Sequence, residues 1–538
     1  MTFDASSVCR GGPGWLLSAA IAVSCLLAGR SLIHWFQLES YQHPGYFRTL
    51  RRHGVFAWLP GAALAAVCML AGAGMLLAAG NGSPWLIAAG VSLPSVGAAL
   101  LIRARSLKVK AKKQLVYTPR IRRLYAVAFV LYLLLIRGGS EAAGFFAAAA
   151  FPVALPLWTA LAGLLAWPIE KAISEAYFRD AQRILREHPD LIRIGITGSW
   201  GKTSVKFILG TLLEQRFPTL ITPASFNTPM GVTRIIRTKL EPGHRIFVAE
   251  MGARHVGDIR EMCRLVHPEI GVLTSVGPQH LDTFKTQERI TRTKYELMEA
   301  IPEDGKCFFA DDEGIVLELY RKTEKEKYLA GLHPERDDTW AEQMSFSPEG
   351  SRFILCHGEE RIPCGTEMLG ELNVRNIVLC AQICFSLGMT GQEIARGIRA
   401  LKSVEHRLQL IRNPGGITVI DDAFNSNIRG AKQAFETLKE FPGRRIIVTP
   451  GMVELGDREE EMNREFGRAM AEACDTAVLV GKKRSIPLSE GLREGGFPEE
   501  NIHVADSLAA AAELLKTLAG SGDTILFEND LPDNYSEE

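Results

Sequence analysis

The sequence predicts a multidomain protein: a polytopic α-helical membrane region over residues 1–169, followed by two α/β domains. Three observations predict it. Long uncharged stretches separated by basic loops fill the first third of the chain. After Trp167-Pro168 the composition changes, and short β-rich apolar runs alternate with amphipathic helical patterns. A glycine-bent turn, "GITGSWGKTS" from Gly195 to Ser204, joins the first of those runs to a helix.

No acidic or basic residue occurs from Gly11 to Gly29 or from Gly54 to Ile102, and "NGSP" at Asn81 to Pro84 divides the second stretch in two. Each piece reaches the roughly 20 residues that cross a hydrocarbon core. Leu124 to Ile136 is shorter, and Ala142 to Ile169 is long and uncharged, which makes five expected spans. One such segment alone could be a signal peptide or a core helix; several in succession favour a membrane. The loop after the first span carries Arg30, Arg48, Arg51 and Arg52, and the loop after the third is "RARSLKVKAKKQLVYTPRIRR". Positive loops stay cytoplasmic, so the amino-terminal end is expected outside and everything after the fifth span inside, in a multi-pass cytoplasmic-membrane protein.

"EKAISEAYFRDAQRILREHPD" reads as an amphipathic connecting helix over 170–190. A first α/β domain is expected over 191–403, with "LIRIGI", "RIFVAE", "EIGVLTS" and "KCFFA" as buried parallel strands. A second is expected over 404–538, with "ITVIDD", "RRIIVTP", "DTAVLV" and "DTILF" as strands. Between them lie "RFILCHG" and the helical "NVRNIVLCAQICFSLG", while "TEKEKY" and "DREEEMNRE" read as solvated helix faces.

Bulk composition narrows the partners. Lysine plus arginine and aspartate plus glutamate both number 61 among 538 residues, so no global field recruits nucleic acid, and none is expected as a partner. The ten cysteines form no C-x-x-C pair, which points to buried thiols in a reducing compartment rather than zinc ligands or disulfides.

The turn itself has the chemistry of an anion site. Backbone N–H groups around Gly198 and Gly201, with the positive end of the following helix, suit phosphate oxygens; Lys202 neutralises them and Thr203 can bind magnesium. The general phosphate-loop spacing wants a glycine where Ile196 stands. Taken singly, Glu250 would be a surface carboxylate, His280 an ordinary loop histidine and Lys294 a solvated helix lysine.

The shorter form "TGSWGKTS" resembles the ATP loop of the Mur ligase family, TG-x-x-GKT[ST]. "FVAEMGARHVGDI", "SVGPQHLDTFKTQERITRTKYEL" and "DDAFNSN" are similar to further motifs of that family, so the resemblance covers the chain from about Ile194 to Glu465. It implies a central ATP-binding domain and a Rossmann-like carboxyl-terminal domain. Gly198, Gly201, Lys202, Thr203 and Ser204 would then hold nucleotide phosphates. Thr203 and Glu250 would bind one magnesium ion. A second would sit beside Glu250, His280 and a carbamate formed by carbon dioxide on Lys294. Asn373 and Asn376 would lie near the adenine, with Leu372 at the family's histidine position. Arg407 would reach phosphate and Asp422 the ribose side, on a domain that closes as a lid.

The resemblance also implies a reaction: ATP phosphorylates a carboxylate, and an amine attacks the acyl phosphate. Lys202, Glu250, His280 and Lys294 would carry the catalysis. The wording is closest to the branch of the family that adds D-alanyl-D-alanine to a UDP-muramoyl tripeptide. Two departures bear on the substrates. Asn463 stands where a histidine is common, so an amino acid or another dipeptide stays open as the amine. The family's UDP-gripping domain is replaced by the membrane region, so a lipid-linked acceptor, presented beside membrane lipid, stays open too. A poly-γ-glutamate-synthase-like ligase and a non-catalytic nucleotide-binding scaffold are the rival expectations.

Overall fold

The computed structural model describes residues 11–53, 96–97, 99–100, 115–143, 151–223, 226–279, 281–412, 415–423, 428–453 and 455–530. They form two compact units, Met1–Glu175 and Ala176–Glu538.

In the first unit the helices Gly11–Ala28, Arg30–Leu38, His43–His53 and Pro119–Ala143 share a core of Leu17, Ile21, Phe36, Tyr46, Leu124 and Tyr132. Among the described residues, two segments, Gly11–Ala28 and Phe151–Arg186, are long and apolar enough to cross a membrane. The expected span Leu124 to Ile136 lies within the helix Pro119–Ala143, and the two expected between Gly54 and Ile102 fall almost wholly outside the described residues. Arg123 grips Glu170 through two hydrogen bonds of 2.6 and 2.8 Å, while Val130, Leu134, Leu157, Leu164 and Trp167 turn large apolar surfaces outward.

The expected connecting helix over 170–190 forms as far as Arg186, as the end of a longer helix. One helix runs unbroken from Leu155 to Arg186 with Pro168 inside it. Proline removes a single hydrogen bond there. Burial of Ala162 and Ala166 on one side of it, and of Phe178, Ala181 and Leu185 on the other, holds both halves helical.

Among the described residues, the second unit contains two sheets. The first has the order β2-β3-β1-β4-β5-β6-β7-β8-β9. Its strands are β1 (Ile192–Thr197), β2 (Thr219–Ile221), β3 (Ile246–Glu250), β4 (Ile270–Leu273), β5 (Lys306–Ala310), β6 (Lys327–Gly331), β7 (Thr339–Ser347), β8 (Gly350–His357) and β9 (Glu360–Thr366). Neighbours from β2 to β7 pair parallel, and β7, β8 and β9 form antiparallel hairpins. Ile194 and Ile196 face one core, Phe247 and Ala249 the other. Burial on both faces is why these strands read as unbroken apolar runs.

"TEKEKY" is not a helix face. The helix before it ends at Lys322, Thr323 is buried and Lys327 opens β6. Lys327 reaches back to the Thr323 carbonyl at 2.6 Å, so its charge caps a helix end instead of lining a solvated face.

The second sheet has the order β10-β11-β15-β12-β13-β14. It comprises β10 (Gln409–Arg412), β11 (Thr418–Asp422), β12 (Arg445–Thr449), β13 (Thr476–Val480), β14 (Ile502–Ala505) and β15 (Thr524–Glu528). Only the β10–β11 pair is antiparallel among its described neighbours.

Candidate functional site

The turn after β1 is bent at two glycines. Gly201 has φ +81° and precedes the helix Lys202–Leu213, a conformation that glycine adopts at low cost. Gly198 is required for space, because a Cβ there would lie 2.1 Å from Thr274 Oγ1. Lys202 curls over the turn and donates to the carbonyls of Gly198 and Ser199 at 2.6 and 2.9 Å. Part of Lys202 stays open to the cleft, but its ammonium lies deep among protein atoms. Burial pulls its pKa down to about 8 against the opposing pull of Glu250, and Arg407 lowers it further. Ser204 begins the buried face of the helix and is 7% exposed.

Register places Glu250 beside this turn. Ile196 pairs with Glu250 across β1 and β3, so the carboxylate emerges at the carboxyl edge where the turn begins. Thr203 Oγ1 donates at 3.1 Å to the Glu250 carboxylate, Lys206 Nζ approaches Oε2 at 2.8 Å, and Asn227 Nδ2 donates to Oε1 at 3.0 Å. Burial pushes the Glu250 carboxyl up, but Lys206 and Lys202 outweigh it and hold the group below the ordinary carboxylate range. Asn227 is held in turn by Gly252, whose N–H donates to the Asn227 carbonyl at 2.8 Å. Thr228 caps the helix that follows, with Pro229 at its first turn.

Lys294 lies on the helix Gln287–Ala300, capped by Thr286, and shares its buried stripe with Ile290 and Leu297. It is 3% exposed, so the solvated helix face expected of an isolated lysine is not where it sits. Burial, then the nearby Lys202, hold its amine far below the usual lysine range, against Asp258 and Glu250. An amine so shifted gives up its proton more readily, and the unprotonated form is the one that can act as a nucleophile toward carbon dioxide. Lys202, Glu250 and Lys294 therefore face one electrostatic neighbourhood. His280 lies outside the described residues.

Asn373 and Asn376 lie on the helix Gly370–Ser386, which packs against the helix that begins at Lys202. Asn376 Oδ1 comes within 3.3 Å of where a Gly201 Cβ would be, which places it against the turn. Asn373 instead donates to the Leu369 carbonyl at 2.9 Å. Just ahead of β10, Arg407 is drawn into the same field: burial lowers its pKa, and Asp422, Glu250 and Glu528 oppose that. Asp422 accepts from the Leu408 N–H at 3.1 Å and pairs in register with the buried Glu528; burial raises its carboxyl and Arg407 lowers it.

Residues 196–384 match the Mur ligase middle domain, and residues 406–528 match the glutamate ligase domain of the same family. A UDP-N-acetylmuramoyl-tripeptide:D-alanyl-D-alanine ligase of Mycobacterium leprae is 31% identical over 366 residues, which span 62% of this chain and 70% of that one. The chain belongs to the Mur ligase family. The corresponding Bacillus subtilis ligase is 28% identical over 341 residues, 62% of this chain and 72% of the relative. Among solved structures, MurF from Acinetobacter baumannii superposes with a TM-score of 0.60 at 26% identity, covering 66% of this chain and 77% of that one. MurF from Thermotoga maritima in complex with ADP gives 0.60 at 25% identity, covering 68% and 82%.

Sequence reasoning about this Mur ligase missed four side chains at the cleft: Lys206, Asn227, Thr274 and Ser275. Lys206 had a signal. It stands four residues after Lys202, one helical turn on, amid the apolar "VKFIL", where a lysine needs a buried partner. Asn227, in "SFNTPMG", had none, because its partner lies on another strand. A cavity of about 350 Å³ lined by Arg193, Arg260, Arg264 and His267 lies at the opposite, amino-terminal edge of the sheet. There Arg193 pairs with Glu269 and Arg260 with Glu296, while Arg264 lies in the last turn of the helix Asp258–Val266, whose dipole it offsets.

Proposed function

We propose that this Mur ligase is an ATP-dependent, ADP-forming amide ligase of peptidoglycan precursor synthesis, which joins D-alanyl-D-alanine to the terminal carboxylate of a UDP-muramoyl tripeptide. The observation that carries the reading is the convergence of Thr203 and Lys206 on the buried Glu250 carboxylate, beside a glycine-bent turn that Lys202 spans.

An acceptor carboxylate oxygen attacks the γ-phosphorus of ATP, the bond to ADP breaks, and an acyl phosphate results. The dipeptide amine then attacks the acyl carbon, phosphate leaves, and a proton is released from nitrogen. No protein nucleophile is needed. The N–H groups at the start of the helix Lys202–Leu213 and the Lys202 ammonium hold and neutralise phosphate oxygens, and Arg407, just ahead of β10, supplies a further cation. Asn376 lies against the turn, and Asp422 would take the ribose side.

The hydroxyl of Thr203 and the carboxylate of Glu250 are hard oxygen donors side by side, which fits magnesium. Glu250, His280 and a carbamate on Lys294 would hold a second ion. Bound magnesium would neutralise the transferring phosphoryl group. The low basicity of Lys294 supports the carbamate, whose formation from the neutral amine and carbon dioxide releases one proton.

The amino-terminal region is a multi-pass anchor in the cytoplasmic membrane, with the ligase domains on the cytoplasmic side. The apolar segments Gly11–Ala28 and Phe151–Arg186 support this, as do the basic loops. These segments also favour a second reading in which the acceptor is lipid-linked. Mass analysis of products formed from ATP, magnesium, D-alanyl-D-alanine and either acceptor tests both. The main reading expects one dipeptide added to the UDP-linked tripeptide for each ADP released, and ATP turnover independent of any acceptor would overturn it. A soluble acceptor that saturates as tightly as the lipid-linked form removes the second reading.

A further inference from the structure

Trp200 stands between the two glycines of the phosphate turn, and both its backbone and its ring engage the segment that follows β4. Its N–H donates to Ser275 Oγ at 2.8 Å, and its carbonyl accepts from Thr274 Oγ1 at 2.5 Å and Ser275 Oγ at 2.8 Å. Its neighbour Ser199 donates from the backbone to the Ser275 carbonyl at 3.0 Å. The Ser199 hydroxyl donates to the Gly277 carbonyl at 3.0 Å and accepts from the Gly277 N–H at 3.1 Å.

The indole completes the seam. A Cβ on Gly277 would lie 2.4 Å from Trp200 Cζ3 and 2.5 Å from Cη2, so no side chain fits beneath the ring. Gly277 is not among the glycines with positive φ, and it precedes Pro278, which favours extended backbone. Its conformation is open to alanine. The ring above it is what requires glycine. A large aromatic and a bare backbone have thus been matched across two loops, one that holds phosphate and one that leads into the histidine segment.

We propose that Trp200 is a positioning residue that makes the phosphate turn and residues 274–279 move as one body, so that nucleotide held by the turn fixes the backbone leading into the histidine segment. This rests on the reading of residues 198–203 as the phosphate loop of ATP. Trp200 takes no part in bond making. It acts through Gly277 and Ser275, and its loss should spare nucleotide affinity while loosening the placement on which phosphoryl transfer depends.

The test uses the full-length protein and the variants W200S, W200F, G277A and W200S/G277A, with three readouts: affinity for a non-hydrolysable ATP analogue, kcat for amide product, and the magnesium concentration for half-maximal rate. W200S should keep nucleotide affinity within about threefold while kcat falls roughly tenfold to a hundredfold and more magnesium is needed. W200F should recover most of the rate. G277A should lower kcat like W200S, and the double variant should be no slower than W200S, because removing the indole opens the space that the methyl group needs. Wild-type kcat in W200S, or additive losses in the double variant, would overturn the proposal. So would an equal loss of affinity and rate in W200S, which would mean that the ring touches the nucleotide. K202A isolates the underlying reading: if it binds the analogue like wild type, the phosphate loop itself is misassigned, whatever the tryptophan variants do.

Discussion

Lys206 Nζ lies 2.8 Å from Glu250 Oε2, and both side chains are sealed from solvent, at 0% and 1% exposure. A buried pair of this kind contributes little net stability as a pair, but removing one partner strands the other charge. Lys206→Ala should therefore destabilise the second unit by about 3–5 kcal/mol, measured as a lowered urea midpoint. The double variant K206A/E250Q should be less destabilised than K206A alone. Equal losses in the two would mean that Thr203 and Asn227 already compensate the carboxylate.

Nucleotide binding should weaken as pH rises through about 8. Burial has brought the free-state pKa of Lys202 to that value, so above it the lysine must take up a proton before it can neutralise phosphate. Each pH unit above 8 then costs up to about tenfold in affinity. Calorimetry between pH 7 and 9.5, in buffers of different ionisation enthalpy, should show the proton uptake. Lys202→Arg should abolish the inflection.

Lys294→Ala should eliminate product while leaving affinity for an ATP analogue largely intact, and removing dissolved carbon dioxide should slow the wild type until bicarbonate is restored. Lys294 also leaves a mark on stability. Its folded pKa lies well below the unfolded 10.5, so between those two values the unfolded chain binds the extra proton and stability climbs with pH. In Lys294→Met that climb should be flatter, as read from denaturation midpoints across the same range.

At the carboxyl ends of β5 and β6, Asp337 is buried beside Asp311, and Asp337 Oδ1 has no hydrogen-bond partner among the described residues. Burial raises its pKa to about 7, and the Asp311 charge adds to the rise against the His333 N–H. A raised carboxyl favours the fold while protonated and loses that contribution as pH rises through the folded value. Asp337→Asn should therefore raise the thermal midpoint more at pH 8 than at pH 5. An equal change at both would show that Asp337 is ionised throughout.

The two α/β series and the glycine-bent turn were legible in the sequence because their signals are local. Doubly buried parallel strands appear as apolar runs such as "RIFVAE" and "TAVLV", and the bend at Gly201 needs a residue at ease with φ +81°. The hairpins β7 to β9 were read only through "RFILCHG", since strands with one face in water mix polar with apolar residues. "TEKEKY" went astray because a charge run carries no period.

By itself, then, the sequence determined where strands, helices and the glycine-bent turn form, since each depends on neighbours a few residues away. Only the tertiary structure decided that Lys206 answers Glu250 across 44 residues, that Asn227 completes the same carboxylate, and that Trp200 rests on Gly277. Those pairings follow from the strand order β2-β3-β1-β4, which sets the ends of β1, β3 and β4 side by side at one edge. A buried charge selects its partner by proximity in space, and sheet order, not periodicity along the chain, creates that proximity.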